Sequence, residues 1–324
     1  MVGLLLIIRA VHIGAAILLF AVFVFSLAVG QPVFATPMEG GALDFFHRFE
    51  CRLLRVALWS LAISFASGAL WLWIEAAEMS ERSLANALAL DVVGTLLRQT
   101  QFGHCWTLRL MLVILIAALW PALPRTGKPN QSMWIGPRLI AGLLAGALLA
   151  TLAFVGHAAA SEEPVRLFHL TADATHLLAA GVWPGGLVPF TMLLARVQPI
   201  GETKVPTFVS SITQRFSQVN FVMIGIIGAT GVVNSWLLVS TFDAVLTSTY
   251  GRLLLLKLML FAAMIALGAV NRYRLRPRLM PDSGKSYRAL RALKRNVKFE
   301  LCAGVAVILI VGAMGISAPP RHQD

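Results

Sequence analysis

The sequence predicts an all-α integral membrane protein with eight transmembrane helices arranged as two parallel four-helix repeats. Hydrophobic residues make up 58% of the 324 residues, charged residues make up only 13%, and the mean hydropathy is +0.77. Soluble domains carry about 25% charged residues, so this composition excludes a soluble globular protein. The apolar residues occur in long runs without strand-like alternation, which favours helices over a transmembrane β-barrel.

Long apolar runs define the predicted spans. The first run contains only Arg9, His12 and Ser26 as polar residues. It has no basic segment ahead of it and is too long for the core of a signal peptide, so we expect a retained helix. In chain order, the predicted spans are Leu4–Gly30, Leu53–Ile74, His104–Leu123, Arg138–His157, Leu167–Ala195, Phe216–Val239, Leu253–Val270 and Phe299–Ser317.

The distribution of charge orients these spans. The net charge is +12, but ten Lys or Arg residues and one acidic residue lie between Arg272 and Lys298, so most of the excess belongs to one loop. The positive-inside rule places this loop in the cytoplasm and argues against a nucleic-acid partner. Alternation then places the other basic loops inside, the acidic loops outside, and both termini in the periplasm. Membrane lipid is the expected surrounding.

An internal repeat relates the two halves of the chain. The sequence RAVHIGAAILLF (9–20) resembles DATHLLAAGVWP (173–184), RLLRVALWSLAISFASGALW (52–71) resembles RFSQVNFVMIGIIGATGVVN (215–234), and FGHCWTLRLML (102–112) resembles YGRLLLLKLML (250–260). His12 is thereby aligned with His176, Gly68 with Gly231, and Arg109 with Lys257. The predicted units are a first repeat at 1–157 and a second repeat at 158–324.

Ionisable residues collect around the predicted turn between the fourth and fifth spans. His157 ends the fourth span, and His169, Asp173 and His176 follow at i, i+4 and i+7 on one helix face. Ionisable groups inside a membrane span are costly and usually functional. Imidazole and carboxylate groups together are suited to a soft or borderline metal ion.

Two further histidines are placed near the same membrane face. His12 completes the site if the first span packs against the fifth, and His104 begins the third span. Asp173 either binds the metal, orients an imidazole, or pairs with Arg9. His47, in a predicted inner loop, and His322, in the tail, are expected to have no role. The candidate metal ligands are His157, His176, His12, His169, His104 and Asp173.

Motifs for catalysis are missing from the sequence. The three cysteines are scattered without a CxxC spacing, which argues against a disulfide framework or a thiolate metal site. Neither a nucleotide-binding loop nor a hydrolase nucleophile motif occurs. We therefore expect no catalytic residues and no enzymatic activity. Asn234 and Asn271 are expected to have structural roles, as polar groups that bond neighbouring helices.

The second half resembles the CopD copper-resistance family of bacterial inner-membrane proteins. The matching segments are GHAAA (156–160), HLLAAGVWPGGL (176–187), RFS (215–217) before TGVVN (230–234), YGRLLLLKLMLF (250–261), GAVNRYR (268–274) and APP (318–320). The resemblance implies copper transport or copper handling at the inner membrane, with uptake from the periplasm and a copper-binding partner of the CopC type. It assigns the copper ion to His157 and His176.

Two other functions fit the same residues. His12 and His176 on facing helices are also typical of a b-type haem cytochrome. A non-transporting assembly or sensing protein would bind the metal without moving it.

Overall fold

The computed structural model describes residues 2–36, 41–81, 83–125, 127–129, 131–161, 163–198, 206–239, 241–280 and 286–317. It describes only the backbone of Val2, Leu90, His157, Ala160 and Phe242. His322, the sequence at 318–320 and the side chain of His157 therefore lie outside the described part of the chain.

Eight helices are long and apolar enough to cross a membrane, which confirms the predicted all-helical class. No strand occurs among the described residues. Short helices at Leu90–Gln99 and Phe242–Thr247 precede the third and seventh long helices. We number the long helices α1 (Gly3–Phe34), α2 (Ala42–Ser80), α3 (Gln101–Ala122), α4 (Ser132–Val155), α5 (Arg166–Arg196), α6 (Thr207–Leu238), α7 (Thr249–Leu279) and α8 (Ser286–Met314).

The two ends of this helix bundle are named after the membrane orientation that the charge distribution predicts. We call the end with Ser80, Arg166, Leu238 and Met314 the outer end, because the predicted orientation places it at the periplasm. The opposite end, with Arg196 and the basic connection between α7 and α8, is the inner end.

Several helices begin well before the predicted span on the inner side. The prediction placed residues 31–51 in a loop, but α2 begins at Ala42 and includes Glu50. Glu50 is only 1% exposed, and it pairs with Arg138 of α4 at 3.3 Å. A hydropathy pattern assigns such charged residues to a loop, because it cannot show that a partner lies on another helix. For the same reason α6 and α8 begin at Thr207 and Ser286 rather than at the predicted residues.

The predicted end of the fourth helix at His157 is wrong. The last turn of α4 is a 3₁₀ turn that stops at Val155, and Gly156 is extended (φ −100°, ψ −172°). A separate 3₁₀ turn, His157–Ala160, follows. His157 therefore belongs to the connection between α4 and α5.

Two helices form the centre of the bundle. Helix α1 packs against α2, α4, α5 and α8, and α5 packs against α1, α4, α6 and α8. Gly185 allows the close approach of α5 to α1, because a Cβ atom there would lie 2.8 Å from Cγ2 of Ile17 and 2.9 Å from Cβ of Ala21. Small residues have this role at helix contacts in membranes. The first and second halves are therefore packed into one bundle, and their description as two repeats stays a prediction.

Candidate metal site

A cavity of about 200 Å³ opens within the second half, near the outer end. Helices α5, α6, α7 and α8 form most of its wall, and α1 closes one side. Most of the lining is apolar. We call it the outer cavity; its polar lining residues include His169, Asp173, His176, Asn234, Tyr250 and Lys257.

His176 is held in one orientation by a hydroxyl group. Its Nδ1 lies 3.0 Å from Oγ1 of Thr230, and that hydroxyl donates its hydrogen to the carbonyl of Ile226 at 2.6 Å. Because the hydroxyl hydrogen is already used, Nδ1 of His176 is the donor and Nε2 carries the lone pair. Nε2 makes no hydrogen bond to a described residue, so it is available to a ligand in the outer cavity.

Asp173 lies one turn before His176 on α5 and faces the same cavity. Its Oδ1 accepts a hydrogen bond from Nδ2 of Asn234 at 3.2 Å. Oδ1 of Asn234 is buried and makes no hydrogen bond to a described group. The structure therefore brings Asn234, which was expected to be structural, into the wall of the site beside a carboxylate.

Lys257 of α7 lines this cavity and interacts electrostatically with Asp173. The expected partner Arg9 also lines the cavity, but its guanidinium lies over the ring of Trp71, 4.6 Å from the centroid. The expected ion pair between Arg9 and Asp173 is therefore not seen among the described residues, whereas Glu50 and Arg138 do lie within ion-pair distance. The alignment of Arg109 with Lys257 was the sequence feature that could have pointed to Lys257.

His169 lies at the outer edge of the cavity. Its ring is 1% exposed, and Nδ1 lies 2.7 Å from Oγ of Ser161. Ser161 belongs to the connection that contains His157. The structure therefore places the backbone of His157 near the cavity mouth, while its side chain is outside the described part of the chain.

His12 occupies a closed environment in the first half. Its Nδ1 lies 3.0 Å from Oγ of Ser67, and its Nε2 accepts a hydrogen bond from Arg109. The ring is 1% exposed and contacts the rings of Trp71 and Trp106. Both nitrogens are thus used by the protein, and in this conformation His12 offers no lone pair to a metal ion.

His12 and His176 also face different cavities. His12 lines a separate cavity of about 150 Å³ with Trp106 and Arg109, whereas His176 lines the outer cavity. The two histidines of the haem alternative therefore line different cavities.

His104 lines neither of these two cavities. It is exposed near the start of α3, and its Nε2 lies 2.9 Å from the carbonyl oxygen of Arg98. This bond fixes the short helix Leu90–Gln99 to the start of α3. The structure therefore does not bring His104 to the predicted metal site.

Among the described residues, no group of three or more His, Cys, Asp or Glu side chains is arranged to hold a metal ion. The predicted ligands that the structure brings to one cavity are His169, Asp173 and His176. The outer cavity thus combines one available imidazole nitrogen, a carboxylate and two cationic side chains, and Gly156 and Ala158, on either side of His157, form part of its wall.

Two family models match most of the chain. Residues 1–167 match the family model described as "Copper resistance protein D-like, N-terminal domain", and residues 210–314 match the model described as "Copper resistance protein D". No solved structure matches the chain.

Three curated proteins are similar over about two thirds of the chain. Copper resistance protein D of Pseudomonas syringae pv. tomato is 34% identical over 226 residues, which are 68% of this chain and 70% of that protein. Inner membrane protein YebZ of Escherichia coli K12 is 34% identical over 224 residues, with the same coverage. Copper transport protein CutJ of Bacillus subtilis is 28% identical over 227 residues, which are 69% of this chain but only 38% of CutJ. The chain therefore belongs to the copper resistance protein D family.

Proposed function

We propose that this protein handles copper at the bacterial inner membrane and carries it from the periplasm toward the cytoplasm through the outer cavity. Family membership and eight membrane-length helices support copper handling in a membrane. Two of the similar proteins have copper in their names, and a third is named as an inner membrane protein. Copper is the cargo in this proposal, and no catalytic step is assigned to the chain.

The lone pair on Nε2 of His176 is the observation that carries the proposal. Copper binds well to neutral imidazole nitrogen. Nδ1 of His176 is hydrogen-bonded to Thr230, and its Nε2 stays available to a ligand in the outer cavity. In the aligned His12, Nε2 accepts a hydrogen bond from Arg109. The second half therefore has a histidine that can bind a metal ion, whereas the aligned histidine of the first half has both ring nitrogens hydrogen-bonded to the protein.

Asp173 supplies the negative charge in the cavity. Without copper, Lys257 is the countercharge that makes an ionised carboxylate tolerable inside a membrane. Lysine carries its charge on a flexible stem, so its ammonium group can withdraw as copper enters. Copper then replaces one cation by another, and the net charge of the cavity changes little.

The mouth of the cavity is the proposed entry site. We assign His169 and His157 to capture of the ion there, followed by transfer to His176 and Asp173. We also propose that a periplasmic copper-binding protein of the CopC type delivers the ion at this mouth. Copper transfer from such a donor should be faster to the wild-type protein than to a His157→Ala variant.

Copper binding by purified protein tests the site. His176→Ala should lose bound copper, while His12→Ala, its aligned control, should keep copper and lose thermal stability. The double variant His157→Ala/His176→Ala should bind none but still insert and fold. Full copper occupancy in that double variant would place the site elsewhere, and haem absorbance bands in the wild type would favour the cytochrome alternative.

Copper flux in proteoliposomes tests transport itself. Uptake into vesicles should require His176 and proceed from the outer face. A periplasm-specific reporter fused after Asp324 should be active, because the charge pattern places both termini outside. Binding without flux would favour the non-transporting assembly role.

A further inference from the structure

A second cavity, of about 280 Å³, lies between α5, α6, α7 and α8 toward the inner end. We call it the inner cavity. Trp183 and Phe216 contribute to its apolar wall, and its polar lining residues are Thr213, Ser217, Asn220, Asn271, Arg272, Tyr273 and Glu300. The described residues that line it include neither histidine nor cysteine, so its chemistry differs from that of the outer cavity.

Glu300 is the carboxylate of this cavity and is only 3% exposed. Its Oε1 accepts a hydrogen bond from Nδ2 of Asn271, and Oδ1 of Asn271 accepts one from Asn296 at 3.2 Å. The other carboxylate oxygen of Glu300, Oε2, makes no hydrogen bond to a described residue. The partner of Glu300 is thus a neutral amide.

The charged groups around Glu300 are engaged elsewhere. On α7, Arg272 donates to the carbonyl oxygen and the hydroxyl of Ser217, at 3.1 and 3.0 Å, and Tyr273 lies beside Arg272 with its ring 67% exposed. On α8, Lys294 donates to the carbonyl of Val197 at 3.1 Å and Lys298 is exposed. The cavity residues of α5 and α6 carry no titratable side chain.

Asn220 of α6 adds an unpaired hydrogen-bond acceptor to the wall of the inner cavity. The residue is 6% exposed, it lines the cavity, and its Oδ1 has no hydrogen-bond partner among the described groups. Buried acceptors of this kind usually bind a protein donor or a water molecule. A water molecule or a protonated carboxyl group in the cavity would satisfy it.

Glu50 provides an internal comparison. It is as buried as Glu300, but it pairs with Arg138 at 3.3 Å and accepts hydrogen bonds from Ser26 at 2.9 and 2.8 Å. Extending the aligned segments 52–71 and 215–234 by two residues places Glu50 opposite Thr213, which lines the inner cavity. The inner cavity thus lies where the first half has a closed ion pair.

We propose that Glu300 is a proton-binding site that exchanges with water in the inner cavity. An ionised carboxylate without a nearby cation is expensive inside a membrane. One proton from water in the cavity forms the O–H bond of the carboxyl group, and the same bond breaks when the proton returns to that water. Asn271 accommodates both forms, because its amide donates to Oε1 in each. This site does not depend on whether the outer cavity binds copper.

Carbodiimide labelling of the intact protein tests the proposal. Dicyclohexylcarbodiimide is apolar and reacts with protonated carboxyl groups, and mass spectrometry of peptides locates its adducts. Glu300 should be labelled, and labelling should fall as the pH is raised. Glu50 should stay unlabelled because Arg138 holds it as a carboxylate. Absence of label on Glu300 at every pH, or equal labelling of Glu50, would overturn the proposal.

A second measurement identifies the protonated group directly. The infrared C=O band of a protonated carboxyl group should appear at low pH and disappear in Glu300→Gln. That variant keeps an oxygen acceptor for Asn271, so its thermal unfolding should stay close to that of the wild type. A band unchanged in Glu300→Gln, or protection of Glu300 from carbodiimide by sodium ions at constant pH, would contradict a proton site.

Discussion

Oγ1 of Thr230 lies 3.0 Å from Nδ1 of His176 and bridges it to the backbone of α6. Ser67 forms the same bridge for His12, again at 3.0 Å, with its hydroxyl donating to Ile63. In both halves a hydroxyl fixes the histidine ring. The difference lies on the other nitrogen, where Arg109 bonds His12 and no described residue bonds His176.

Replacing Thr230 by valine should weaken copper binding. Valine keeps the shape but removes the acceptor of Nδ1, so the ring loses its fixed orientation. Loss of such an orienting partner typically costs roughly 10- to 100-fold in metal affinity. Titration against a competing copper chelator measures this effect. Thr230→Ser keeps the hydroxyl and should bind copper like the wild type. Ser67→Ala is the matched change in the first half and should leave the copper affinity unaltered. Equal losses of affinity in Thr230→Val and Ser67→Ala would argue against a role specific to His176.

Replacing Asn234 by alanine should also lower copper affinity, because Asp173 loses the amide that holds Oδ1. The sequence alone suggested that metal binding would survive this change. The stability cost should be small, since hydrogen bonds between membrane helices average about 0.6 kcal/mol. Asn271→Ala, at the inner cavity, is the control that should retain copper. Wild-type affinity in Asn234→Ala would return Asn234 to a structural role.

Copper occupancy should fall as the pH is lowered over the range in which the protein stays folded. Protons and copper compete for the same imidazole lone pair, so acid favours the copper-free protein. Equilibrium dialysis at several pH values measures the transition. In His176→Ala the residual binding should lack this dependence, whereas His12→Ala should keep it. A wild-type profile that is flat across this range would exclude imidazole as the main ligand.

Breaking the Glu50–Arg138 pair should destabilise the protein strongly. Glu50→Gln leaves the guanidinium of Arg138 buried and unpaired, which typically costs about 3–5 kcal/mol in free energy of unfolding. Thermal unfolding in detergent should show a lower midpoint for Glu50→Gln. The double variant Glu50→Gln/Arg138→Met should recover much of the loss, because it removes the uncompensated charge as well. A double variant less stable than Glu50→Gln would show that the contacts of Arg138 with Trp134 and Pro124 dominate.

Hydropathy was sufficient to predict the eight helices, because a membrane span must be long, apolar and helical. It was insufficient at the inner ends, where the charge of Glu50 is neutralised by Arg138 from another helix. The periodicity of His169, Asp173 and His176 correctly placed them on one cavity wall. Sequence could not show that Arg109 bonds Nε2 of His12, since residues 97 positions apart in the chain meet only in the folded bundle.

Helix α1 belongs to the first half of the chain, yet Arg9, Ile13 and Ile17 close one side of the outer cavity. A fragment containing only residues 158–324 would therefore expose a groove to lipid instead of enclosing a chamber. If the outer cavity binds copper as proposed, we expect binding to need both halves in one assembly, whether or not the peptide bond between them is intact. Two separately expressed fragments, split in the connection before α5, should recover copper binding only when produced together.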